Sequence, residues 1–183
     1  MLDSKRENKK QLLLETAKKL LISGELATLT LDAIAKTANV SKGGLLYHFP
    51  TKEVLLNELA TSIFAKMQER FLEIAEQIPI NPSRYTTALI QVTKEDLLAN
   101  AELNVALLAQ TAISADLKKQ VSKLYLQILA YLDQDQLIES KKQITRLALD
   151  GLYYNQLFMV VPPSREEIDK TLHHLKEFIT EET

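Results

Sequence analysis

LDAIAKTANVSKGGLLYHFPTKEVLL, residues 31–56, reads as two short helices around one tight turn. Thr30 precedes it and can cap a first helix by accepting a backbone N–H on its hydroxyl, and Asp32 suits the positive end of that helix. Ile34, Ala35 and Ala38 then share one helical face. Asn39 interrupts the pattern. Asparagine tolerates a positive φ better than other side chains, so Asn39 is expected to make the turn, with apolar Val40 inside it. Ser41 can cap a second helix reaching about His48. Two helices joined by three or four residues have the spacing of a helix-turn-helix.

The second helix carries the chemistry. Gly43 and Gly44 are adjacent in a chain with four glycines, and each costs about 1 kcal/mol against alanine inside a helix. Without a Cβ, however, the backbone can approach another surface closely. Ser41, Lys42, Tyr47 and His48 can all donate hydrogen bonds to phosphates or base edges. Lys52 opens the next helix, where its charge and the unpaired N–H groups could hold a phosphate. Leu45, Leu46 and Phe49 are expected to supply the apolar backing.

This segment closely resembles the DNA-binding domain of the tetracycline-repressor (TetR) family of bacterial transcription regulators. The run Val40-Ser41-Lys42-Gly43-Gly44-Leu45-Leu46-Tyr47-His48-Phe49-Pro50-Thr51-Lys52-Glu53 matches that family's signature nearly position for position. Asn39 departs from it, because the family more often has glycine there. The specific resemblance spans residues 9–56; beyond it only helical pattern and length agree.

Charge is distributed to match. The net formal charge is −2, yet residues 1–52 hold nine Lys and Arg against five Asp and Glu, a net of +4. Residues 53–183 hold thirteen against nineteen, a net of −6. One end is suited to phosphates and the other is not. Hydrophobic residues make up 46% of the 183, enough for a sizeable core, and few glycines and prolines leave little room for hairpins. There are no cysteines, hence no disulfide and no thiolate metal site. No signal-like segment and no apolar run near ~20 residues is present, so a cytoplasmic, membrane-free protein is expected.

In chain order the pattern is helical throughout. Ser4 to Glu7 reads as a capping box for a helix with Leu13, Ala17, Leu20 and Leu21 inward, ended by Gly24. Lys5, Arg6, Lys9 and Lys10 cluster on its first turns, as phosphate contacts or as a solvated helix start. Leu26 and Leu29 lead into Thr30. Pro50-Thr51 starts a long helix with Leu55, Leu59, Ile63, Met67, Phe71, Ile74 and Ile78 on its apolar side, stopped by Pro79 and Pro82. Residues 84–112 follow with an expected break near Asn100. Ser114 then caps a helix, residues 133–136 read as a polar loop, and another helix starts at Glu139. Pro162-Pro163 breaks that one before a second capping box, Ser164 to Glu167. The fold class is all-α, about nine helices: a three-helix head (1–50) and a helical body for ligand binding and dimerisation (51–183).

The penultimate helix has apolar surface to spare, and Gly151 would admit a facing backbone. Ile144, Leu147, Gly151 and Phe158 there, with Ile168, Leu172, Leu175 and Ile179 on the last helix, are the candidate dimer interface. Burial in the chain's own core is the other reading. The resemblance implies pairing through the last two helices into a four-helix bundle, and two-fold symmetry suits a reader of two half-sites. It also implies an inducer pocket among the central helices. Gln110, Tyr125, Tyr131, Tyr153, Tyr154 and Asn155 are candidate walls, or ordinary packing with a polar tip in solvent. Their surroundings suggest a small, largely apolar inducer.

No glycine-rich phosphate loop, nucleophile elbow or His-Glu-x-x-His occurs, and no enzyme, cofactor or metal is expected. His173 and His174 are adjacent and diverge by ~100° on a helix, which is wrong for joint chelation. The function expected is regulation of transcription as a homodimer on double-stranded operator DNA, most simply repression relieved by the inducer. Ser41, Lys42, Gly43 and Gly44 would lie at base edges, and Thr30, Tyr47, His48 and Lys52 on phosphates. The alternative is a small-molecule-binding or adaptor protein of this fold that no longer reads DNA.

Overall fold

The computed structural model describes residues 2–23, 29–158, 161 and 163–181, with side chains throughout except at 2–5, 100–113 and 156–158. Gly24, Leu26 and Pro162 lie outside the described residues, as do the side chains of Lys5, Gln110 and Phe158. Among the described residues there are eight helices: α1 (Leu2–Ile22), α2 (Leu31–Thr37), α3 (Lys42–His48), α4 (Lys52–Gln77), α5 (Arg84–Ile113), α6 (Ala115–Leu132), α7 (Glu139–Phe158) and α8 (Arg165–Thr180). None is long and apolar enough to cross a membrane.

The count falls one below the expected nine because α5 runs unbroken through Asn100. A single asparagine costs a helix only ~0.7 kcal/mol, and without glycine or proline beside it the packing of α5 outweighs that. At the amino terminus α1 starts at Leu2, which places Ser4 inside the first turn and not at the cap.

The other start signals are used as read. Thr30, Ser41, Thr51, Ser114 and Ser164 each precede a helix in extended backbone and accept a backbone N–H three residues on. At Ser164 the Glu167 carboxylate also returns to the Ser164 N–H at 2.8 Å, completing the capping box.

Two apolar cores share α4. The first gathers Leu13, Ala17 and Leu21 of α1, Ile34 of α2, Leu45 of α3, then Phe49, and Leu55 and Leu59 of α4. Leu117 of α6 reaches into it from the body. The second collects Phe71 and Ile74 of α4, Leu89 and Ile90 of α5, Ile128 of α6, Leu149 of α7 and the inner face of α8. At 1.5 Å per residue the 26 residues of α4 make a rod of about 39 Å joining the two.

The segment after α6 is not a plain polar loop. Asp135 is 7% exposed. Its carboxylate accepts the Tyr85 N–H at 3.0 Å, the Thr86 N–H at 2.7 Å and the Thr86 hydroxyl at 2.8 Å. It therefore caps α5 from about 50 residues away. Burial was not foreseen because four polar residues in a row look solvated.

Candidate nucleic-acid interface and cavity

The turn between α2 and α3 is built as its residues require. Asn39 has φ 53°, the sole positive value among described non-glycine residues. Behind α3, Leu45 and Phe49 are fully buried, whereas Leu46 is partly exposed and not part of that backing. Buried Leu45 and Phe49 fix which side of α3 faces out. Ser41, Lys42, Gly43 and Tyr47 occupy that outer side.

The two glycines differ. A Cβ on Gly44 would lie 3.1 Å from both Ser41 Oγ and Val40 Cγ1, so the cap and turn themselves favour glycine there. A Cβ on Gly43 would meet nothing within 4 Å. The chain alone gives no steric reason for that glycine.

The polar groups around α3 are arranged as donors. Thr30 and Ser41 accept N–H groups at 3.1 Å, leaving each hydroxyl its proton to give. Lys42 is paired with Asp32 at 2.9 Å, both well exposed. An exposed pair of this kind holds with only ~0–1 kcal/mol, so Lys42 can exchange it for a phosphate or a base. Tyr47 lies under the Arg6 guanidinium, 5.0 Å from ring centre, and edge-on to His48. Lys10 is held by Glu58. Lys52 sits in the first turn of α4, at the helix end that favours anions.

Burial holds the His48 imidazole below its ordinary pKa, and Arg6, Lys9 and Lys10 push the same way against Glu58. A phosphate would reverse that. The unfolded chain binds the proton more readily than the native one, so the His48 contribution to stability falls as pH drops below ~6.5. If His48 holds a phosphate, affinity for DNA should move oppositely, tightening between about pH 7.5 and 5.5. His48→Gln should flatten the affinity profile; an unchanged profile removes His48 from the contact.

In the body, a cavity of about 220 Å³ opens between α4, α5, α6 and α7. Tyr125, Tyr153 and Tyr154 line it, as do Ile63, Phe64 and Met67. Asp96 and Asp150 also line it, and the sequence reading missed both. Tyr125 donates to Asp150 at 2.8 Å and Tyr153 to Asp96 at 2.9 Å. Burial, then the neighbouring carboxylate, holds both phenols above their ordinary pKa, so both remain donors.

Two of the candidate wall residues lie elsewhere. Tyr131 meets Phe71 edge-on and Tyr85 at a tilt, centroids 6.0 and 5.3 Å away, and packs against the second core. Asn155 is exposed and donates to the Gly151 carbonyl at 3.0 Å, away from the cavity lining. Gln110 falls on α5, but its side chain lies outside the described residues.

The candidate dimer surface divides. Ile168, Leu172, Leu175 and Ile179 are buried in the chain's own second core, which removes them from any surface offered to another copy. Ile144 and Leu147 of α7 are 51% and 59% exposed, and a Cβ on Gly151 would meet open space. The outer stripe of α7 is therefore the part available to a second copy. The Phe158 side chain lies outside the described residues.

A capped helix pair with a fixed turn, an outward basic and hydroxyl-bearing α3, and further helices around a cavity define an all-helical helix-turn-helix protein. Residues 13–59 match the family of bacterial regulatory proteins called the tetR family, and residues 83–180 match the tetracyclin repressor-like C-terminal domain. The chain belongs to the TetR family of bacterial regulatory proteins.

Among curated relatives it is 28% identical over 78 residues to the HTH-type transcriptional regulator EthR of Mycolicibacterium smegmatis. It is 35% identical over 69 residues to the HTH-type regulator YhgD of Bacillus subtilis. These matches cover 43% and 38% of this chain and 36% of each relative's length. Over nearly the whole chain the fold is that of solved regulators. The fatty acid degradation regulator FadR of Bacillus halodurans aligns with TM-score 0.71 at 16% identity, covering 93% of this chain and 94% of that one. Reduced NemR of E. coli aligns with TM-score 0.71 at 20% identity, covering 96% and 100%. Thermus thermophilus FadR, solved with lauroyl-CoA, aligns with TM-score 0.60 at 21% identity, covering 95% and 96%.

Proposed function

We propose that this chain is a homodimeric transcription regulator of the cytoplasm, which represses from double-stranded operator DNA and lets go when a small molecule fills its cavity. The observation that carries the reading is Gly43. On an outward, capped helix ringed by donors, it has room for a side chain that the protein does not use. A closely approaching surface explains that, and the net charge of +4 over residues 1–52 says the surface is anionic. Residues 1–50 are the reading head, with Ser41, Lys42, Gly43 and Gly44 toward base edges and Thr30, Tyr47, His48 and Lys52 on phosphates. Residues 51–183 form the body.

Release works through the α4–α6 seam. Leu117 of α6 packs in the head's core. Asn57 donates to Ser114 at 3.2 Å, Thr61 to Gln120 at 2.9 Å and Gln68 to Gln127 at 3.0 Å, all from α4 to α6 or its cap. Ile63 and Met67 of α4 and Ile128 of α6 line the cavity. A molecule wedged between them displaces α6 along α4, and Leu117 carries that shift into the head. The solved relative with lauroyl-CoA bound supports a ligand in a body of this fold.

Dimerisation through the outer stripe of α7 supplies the second half-site reader. Leu147→Glu is expected to leave the fold intact, turn the dimer into a monomer in sedimentation, and lower operator affinity at least ~10-fold. A wild-type protein that sediments as a monomer at micromolar concentration would overturn the dimeric reading.

A further inference from the structure

We infer that Arg6 of α1 and Tyr47 of α3 grip one DNA phosphate together, which makes α1 a working part of the DNA-binding surface. This rests on the DNA-reading proposal and adds to it a phosphate site that spans two helices.

Tyr47 is 63% exposed, and neither it nor Arg6 belongs to the first core. The Arg6 guanidinium nevertheless lies over the Tyr47 ring, 5.0 Å from its centroid. A cation is attracted to an aromatic face, but only weakly where water reaches both. The fold therefore gains little from the contact, whereas the contact fixes where two sets of donors stand. A guanidinium has five N–H groups and a phenol one O–H. Among the described residues none of these is given to a protein acceptor. A guanidinium beside a hydroxyl suits a phosphate, whose oxygens accept from both.

Charge points the same way. Lys10 is paired with Glu58 and Lys42 with Asp32, but no carboxylate among the described residues pairs with Arg6. His48, edge-on to Tyr47, ends α3. After burial, the charges of Arg6, Lys9 and Lys10 hold its imidazole below the ordinary pKa, each outweighing Glu58. This end of α3 thus stands in a positive field that an anion would relieve.

Placement fits as well. Leu13, Ala17 and Leu21 of α1 share the first core with Leu45 of α3, so one packing arrangement positions both helices. Lys42 and Tyr47 stand ~7.5 Å apart along α3 at 1.5 Å per residue. Lys42 anchors one end of α3, and the Arg6–Tyr47 pair anchors the other.

The test is anisotropy of the full chain on a labelled mixed-sequence duplex of about 30 base pairs, titrated with KCl from about 50 to 200 mM. A phosphate contact acts on any sequence, so the operator is not required. Arg6→Gln should weaken binding about 10-fold at about 0.1 M salt and reduce the slope of log K against log salt by about 1. Arg6→Lys keeps the charge without the planar fork, and should restore the slope with only part of the affinity. Tyr47→Phe keeps the ring under Arg6 and loses the hydroxyl, so affinity should fall about threefold with the slope unchanged. Because each single change already breaks the joint grip, the double variant should lose less than the product of the two losses.

An unchanged slope for Arg6→Gln, with wild-type binding steep in salt, would overturn the inference alone. Losses that multiply in the double variant would also overturn it, since the two groups would then act on separate phosphates. Both side chains lie outside the core, so urea midpoints should match wild type. If Arg6→Gln nevertheless lowers the midpoint, Tyr47→Phe decides, and undiminished affinity there counts against the inference. Wild-type protein that shows no salt-dependent binding would strike the DNA-reading proposal itself, and this site with it.

Discussion

Gly43→Ala is expected to stabilise the free protein by about 0.5–1 kcal/mol and to weaken operator binding by about 2 kcal/mol. The first half follows from helix propensity, since alanine loses less backbone freedom than glycine and its methyl group would meet nothing within 4 Å. The second follows if the same open space is where DNA approaches α3. Gly44→Ala is the control. Its Cβ would crowd Ser41 Oγ and Val40, so no gain in stability is expected there. Urea unfolding gives one quantity and fluorescence anisotropy on operator DNA the other. A variant that is more stable and binds equally well would mean that Gly43 does not face DNA.

Asp135→Ala should cost about 3 kcal/mol of folding stability. Three donors converge on this one carboxylate, two of them N–H groups at the start of α5. Removing it strands buried donors and withdraws a negative charge from the helix end that favours one. Asp135→Asn keeps one acceptor oxygen and should lose roughly half as much. The comparison is read from urea midpoints with the m-value held constant. A loss below ~1 kcal/mol for the alanine variant would show that other groups satisfy the start of α5.

Much of the fold could be read from local chemistry. Caps at Thr30, Ser41, Thr51, Ser114 and Ser164 act within three residues of themselves, and the turn at Asn39 rests on one φ value. What escaped were contacts between residues distant in sequence. Asp135 looked solvated because its partners lie about 50 positions away. Asp96 and Asp150 carry no local signal in the sequence, and only the packing of α5 and α7 brings them to one cavity.

The α8 residues failed for a different reason. Periodicity reports that a helix has an apolar face, but not whether its own chain or another copy covers it. Ile168, Leu172, Leu175 and Ile179 fit both readings until the second core claimed them. On α7 two apolar stripes coexist. Leu149 and Leu152 point inward, while Ile144 and Leu147 point out. The Asn100 break shows the limit of propensity, since a cost of ~0.7 kcal/mol does not stop a packed 30-residue helix.

Selection of bound sequences from a random DNA pool, at about 0.15 M salt, tests the central claim most directly. A two-fold reader predicts an enriched palindrome with half-site centres about one helical turn, ~34–36 Å, apart. No enriched sequence, whether the protein is alone or supplied with cellular small molecules, would contradict a DNA-reading role and leave a ligand-binding protein of this fold.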